Sequence, residues 1–133
     1  MAIQNLSIKN ASGTAQSSQV VNPAGGLDQW ARWRLSIPGV NLVSLLPKVQ
    51  FKCAYTQKSG MTRLTQTVVV PPRPVGNQTE ADVAGKRPYV KTTTYSIPDD
   101  FPLDQIPDAQ AYAVNSASEP YVVGLLTARV GAY

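Results

Sequence analysis

Lys48, Lys52, Lys58, Arg63, Arg73, Lys86, Arg87 and Lys91 account for most of the twelve Lys and Arg residues of this 133-residue chain. Only Glu80 and Asp82 oppose them within that stretch. Cations interleaved with Gln, Thr and Tyr suit one chemistry above others. They neutralise phosphates, donate hydrogen bonds to sugars and bases, and offer a ring on which an unpaired base can stack. The same residues would also make an ordinary solvated face. A net charge of +4 and a pI near 9.4 leave both readings open.

Other chemistries are poorly provided for. The chain has no histidine, the commonest general base and metal ligand. Cys53 is the single cysteine, so neither an internal disulfide nor an ordinary zinc site is expected. It sits in an alternating apolar run and reads as a buried structural thiol. Gly25-Gly26 and Gly124 lack the context of a phosphate-cradling loop. Asp99, Asp100, Asp104, Asp108 and Glu119 gather in a segment without Lys or Arg. Asp104 and Asp108 could share a helix face as an acid–base pair, but acids near a helix N-terminus more simply complement its dipole. No catalytic residue, metal, cofactor or small-molecule substrate is expected, and the chain reads as a non-enzyme. No apolar run approaches the ~18 residues of a membrane span, and the first residues lack a signal-peptide layout.

The positioning elements follow from periodicity. Residues 2–22 read as a hairpin turning at Asn10-Ala11-Ser12-Gly13, and Pro23-Ala24-Gly25-Gly26 breaks the chain. Over 29–37, Trp30, Arg32, Arg34 and Ser36 alternate with Ala31, Trp33, Leu35 and Ile37. Over 48–56, Val49, Phe51, Cys53 and Tyr55 oppose Lys48, Gln50, Lys52 and Thr56, the period of a half-buried strand. A turn at 57–60 leads to 61–70, with Leu64, Val68 and Val70 on one face and Arg63, Thr65 and Thr67 on the other. Pro71 and Pro72 end that strand. A long loop spans 71–86, and a Thr- and Tyr-rich strand spans 87–97. Helical spacing then covers about 107–118 and 121–130, with Pro107 and Pro120 in the first turns. Strands first and helices last predict an α+β fold in a single domain over 1–133.

Several strings resemble the coat proteins of single-stranded RNA bacteriophages, the levivirus group. KVQFKCAYTQ, a short turn and TRLTQTVVVP are similar to that family's central strand pair. KRPYVKTTTYSIP resembles its last strand, and the terminal GAY resembles its usual ending. The order of elements matches over nearly the whole chain. The resemblance implies an N-terminal β-hairpin plus a five-stranded antiparallel sheet followed by two C-terminal helices. It also implies an interlocked homodimer with a continuous ten-stranded sheet, each subunit's helices packing over its partner. Dimers would build an icosahedral shell with the sheet facing inward. The subunit would be made in the bacterial host cytoplasm and reside in the virion.

In that family the inner face binds a genomic stem-loop at the replicase start, which represses replicase translation. The matching positions here are Lys48, Gln50 and Lys52 on the first central strand and Arg63, Thr65 and Thr67 on the second. On the last strand they are Tyr89 as the stacking ring, Lys91 and Thr93. Ala54 stands where the family often has a basic residue. The Thr92-Thr93-Thr94 run leaves the parity of the last strand open by one residue. The 71–86 loop would lie at the shell's symmetry axes. Two rival readings remain: a single-stranded nucleic-acid binding module outside any capsid, and a structural β-subunit without RNA affinity.

Overall fold

A computed structural model describes residues 5–22 and 29–129. The expected hairpin start at residue 2, the break at 23–26, the helix end at 130 and the terminal Gly-Ala-Tyr lie outside the described residues. The chain divides into two compact units, Met1–Asp99 and Asp100–Tyr133.

The first unit is an antiparallel meander. Strands β1 (Ser7–Lys9), β2 (Ala15–Asn22), β3 (Trp30–Leu35), β4 (Lys48–Thr56), β5 (Met61–Val70) and β6 (Tyr89–Pro98) each pair with the next in sequence. The expected hairpin and the expected five-stranded sheet share a strand. β2 pairs with both β1 and β3, so β2–β6 are the five strands and β1 is a sixth at the edge. A short helix, α1 (Glu80–Val83), interrupts the connection from β5 to β6. The second unit holds α2 (Ile106–Ser118) and α3 (Pro120–Ala128), with Pro107 and Pro120 in their first turns. The α+β class is therefore observed.

Turn chemistry explains the sharp reversals. Asn10 Oδ1 accepts the N–H groups of Ser12 and Thr14 at 3.1 and 2.9 Å, closing the first hairpin as an Asx-type turn. At the β4–β5 turn Gly60 has φ +57°, a conformation that L side chains rarely adopt. A side chain there would also press on Asp99, whose carboxylate would lie 3.3 Å from the added Cβ.

The core is small. Ala31, Trp33 and Leu35 of β3, Val49 of β4, Leu45 of the 38–47 loop and Val83 of α1 are buried. The Trp33 ring meets Phe51 edge-on, with centroids 5.7 Å apart. Ser18 is buried but satisfied: its hydroxyl donates to the Leu6 carbonyl at 2.8 Å and accepts the Leu6 N–H. Cys53 is only half-buried in the single chain, because the sheet face that carries it is incompletely covered.

The 71–86 connection is more structured than a bare loop. Val83 is 2% exposed. The Asp82 carboxylate accepts the Thr79 N–H at 2.7 Å, and Glu80 accepts the N–H groups of Asn41 and Leu42 at 2.7 and 3.1 Å. One carboxylate thus ties this connection to the 38–47 loop.

Candidate nucleic-acid interface

Residues directly opposite each other on antiparallel strands share a face. Applying this across the ladder sorts the predicted residues. Lys48 pairs with Val69, Gln50 with Thr67, Lys52 with Thr65 and Ala54 with Arg63. Lys48, Gln50, Lys52, Arg63, Thr65 and Thr67 therefore lie together on one face, as the alternation predicts.

β6 departs from the prediction. Thr65 pairs with Thr94, Thr67 with Thr92 and Val69 with Val90. The polar face continues onto Val90, Thr92, Thr94 and Ser96. Tyr89, Lys91 and Thr93 pair with Val70, Val68 and Gln66, and so lie on the opposite, apolar face. The cause is the period of two: a shift of one residue turns every side chain of a strand over. Three consecutive threonines carry no hydrophobic pattern to fix that choice.

β3 adds residues that the predicted set lacked. Trp30 pairs with Lys52, Arg32 with Gln50 and Arg34 with Lys48, all on the polar face. Their alternation with Ala31, Trp33 and Leu35 was visible, but it does not reveal which strand lies beside them. The Lys52 ammonium sits 5.3 Å from the centre of the Trp30 ring, a cation–π distance. With Tyr89 on the other side, Trp30 is the aromatic residue of this face among the described strands.

None of β1–β6 contains Asp or Glu. The described acids stand in turns, connections and the second unit. Some of them have structural partners. The Tyr55 hydroxyl donates to Asp99 at 2.9 Å, and that bond, with the carboxylate's charge, raises the Tyr55 pKa. The Thr79 N–H lowers that of Asp82. Asp104 and Asp108 lie in the second unit, at the 103–105 turn and in the first turn of α2. Among the described residues no group of His, Cys, Asp and Glu could hold a metal ion, and no helix is long and apolar enough to cross a membrane.

The opposite face is apolar and incompletely covered. Phe51, Cys53, Leu64, Val68, Val70, Tyr95 and Ile97 are half-buried in the single chain. In the second unit Tyr112, Val114, Tyr121, Val123 and Leu126 are exposed.

Solved structures share this arrangement along its full length. The subunit of the virus-like particle of Beihai levi-like virus 21 matches with a TM-score of 0.77 at 16% identity, covering 100% of this chain and 99% of that one. The particle of bacteriophage AVE019 matches with a TM-score of 0.76 at 10% identity, covering 100% of both chains. The fold is that of the RNA bacteriophage coat proteins. An unassembled bacteriophage coat protein dimer, described as RNA-binding, also matches with a TM-score of 0.65 at 14% identity over 97% of this chain and 96% of that one. No protein-family model and no curated protein matches the sequence. At such identities the coat-protein fold is carried by pattern and order of elements, with little residue-by-residue likeness.

Proposed function

We propose that this chain is a capsid subunit of a single-stranded RNA bacteriophage, without enzymatic activity. It associates as an interlocked homodimer, assembles into an icosahedral shell, and holds viral RNA on the polar face of its sheet. The observation that carries this reading is the whole-chain likeness to subunits of virus-like particles. The two faces of the sheet support it. One collects cations, amides and hydroxyls without a carboxylate. The other is apolar and only half-covered, as expected of a surface that a second copy closes.

On this reading the two compact units belong to one subunit made in the bacterial cytoplasm and carried in the virion. Lys48, Gln50, Lys52, Arg63, Thr65 and Thr67 contact RNA, joined on β6 by Thr92 and Thr94. Lys and Arg bind phosphates, while Gln and Thr reach sugars and exposed base edges. Recognition of one operator stem-loop, with repression of replicase translation, is the more demanding form of the proposal. Ala54 and the threonines make this a lightly charged grip, suited first to packaging.

Expression of the full chain in bacteria tests the reading. Negative-stain micrographs should show uniform shells, and nuclease-protected RNA should be recovered from them. A clean monomer by light scattering at micromolar concentration overturns the proposal. Small soluble complexes with RNA and no shells would identify a nucleic-acid binding module instead.

A further inference from the structure

The polar face has a feature that alternation alone does not explain. Between β2, β3, β4 and β5 lies a concavity of about 340 Å³, lined by Arg32, Arg34, Lys48 and Gln50 and by the apolar Val21, Trp33 and Val69. Arg34 stands directly opposite Lys48, and Arg32 opposite Gln50. Like charges paired across strands are destabilising. Among the described residues no carboxylate lines the concavity to relieve them. In addition, Arg34 Nε is buried and has no hydrogen-bond partner among the described residues. A buried donor left unsatisfied costs stability unless something supplies an acceptor.

The missing partner must be anionic and must offer several acceptor oxygens. A planar guanidinium matches the edge of a phosphate with parallel N–H donors, and an adjacent ammonium adds a point charge. We propose that Arg32, Arg34, Lys48 and Gln50 form a binding site for one RNA backbone phosphate, an inference that rests on the polar face being the RNA surface. Gln50 donates its amide and Val69 gives the site an apolar wall. Lys48 and Lys52 are four residues apart, about 13 Å along the strand. The site is therefore a second anchor at the β2 side of the face, separate from Lys52 and Arg63.

The test is a salt titration of binding to a mixed-sequence single-stranded RNA oligonucleotide, using the full-length protein. Parent, Arg34→Gln, Arg34→Lys, Arg32→Gln and Arg63→Gln are compared. Arg34→Gln and Arg32→Gln should each reduce the slope of log affinity against log salt by about 0.7. Arg34→Lys should keep the slope and lose affinity, since the charge stays and the planar fork goes. Without RNA, Arg34→Gln should melt no lower than the parent, because it relieves the repulsion with Lys48. Unchanged slopes for both Gln variants, with a reduced slope for Arg63→Gln, overturn the phosphate site and leave the RNA face standing. A parent without salt-dependent binding overturns both. If Arg34→Gln does not fold, the Arg32→Gln slope decides.

Discussion

The two faces of the β4–β5–β6 sheet are separated by one step along each strand, yet they pose opposite physical problems. One carries Lys48, Gln50, Lys52, Arg63, Thr65 and Thr67, polar groups that can hydrogen-bond with water. The other carries Phe51, Cys53, Leu64 and Val68, which gain by leaving water and are half-buried in one chain. The polar face, apart from the paired Arg34 and Lys48, can stay open to water. The apolar face gains by being covered, and its completion is the stronger driving force. Removing apolar surface from water is worth roughly 25 cal/mol per Å². Self-association should therefore precede RNA binding energetically, and damage to the two faces should separate cleanly.

The sharpest way to break that contrast is to charge the apolar side. Phe51→Asp should abolish particles, because an unpaired carboxylate in a closed interface is strongly disfavoured. Phe51→Ala is graded. It should cost about 3–5 kcal/mol if a second copy buries the ring fully. A loss of only about half that would mean the face stays open. Concentration-dependent denaturation measures the difference, and light scattering reports the particles. Neither substitution touches the polar face, so any surviving unassembled protein should keep its RNA salt dependence.

The next comparison is between two aromatic residues on opposite faces. Trp30→Ala should cost about 1–3 kcal/mol of affinity for single-stranded RNA, the usual worth of a stacking platform. Tyr89→Ala should leave RNA affinity nearly unchanged, since the register turns it toward the apolar side. The reverse result would show that β6 pairs one residue away from the register described. Particle yield is the complementary measurement, because Tyr89 then belongs to the side that closes.

Strand β4 was legible because its apolar and polar residues alternate up to Ala54, and β5 because it follows the β4 turn with Leu64 and Val68 opposed to Arg63, Thr65 and Thr67. Their limits, 48–56 and 61–70, match the reading of the sequence alone. β6 was legible as a strand but not as to its faces: Thr92, Thr93 and Thr94 suit either side. Arg32 and Arg34 stayed outside the predicted site for a different reason. Their parity could be read, but their neighbourhood with Lys48 and Gln50 depends on strand register, which no local pattern encodes. The connection after β5 shows the same divide. Thr79 followed three residues later by Asp82 is a recognisable helix-start pattern. The bond from the Asn41 N–H to the Glu80 carboxylate joins positions 39 apart in sequence and is visible only in the fold.

Smaller effects should follow from single charges on the polar face. Lys52→Ala and Arg63→Ala should each lower the RNA salt slope by about 0.7, leaving shells intact in micrographs. Lys52→Ala should lose slightly more affinity, since it also removes the cation over the Trp30 ring. Equal assembly with unequal RNA binding is the signature expected if the faces act independently.

The smallest effect separates the sheet from its connection by pH. The strands contain no Asp or Glu, so mild acid should leave their pairing untouched. The connection contains Asp82, whose carboxylate is held below its ordinary 3.8 by the hydrogen bond from the Thr79 N–H. A depressed carboxylate contributes its stabilisation fully above the ordinary value and loses it as the pH falls through the lower, folded value. α1 should therefore loosen only in acid, while the strand amides of β4 and β5 keep their chemical shifts. Following the Thr79 amide shift in the unassembled protein measures this directly. Asp82→Asn should leave that amide with a weaker acceptor and abolish the transition. A Thr79 shift that moves together with the strand amides would instead mean that the connection and the sheet unfold as one.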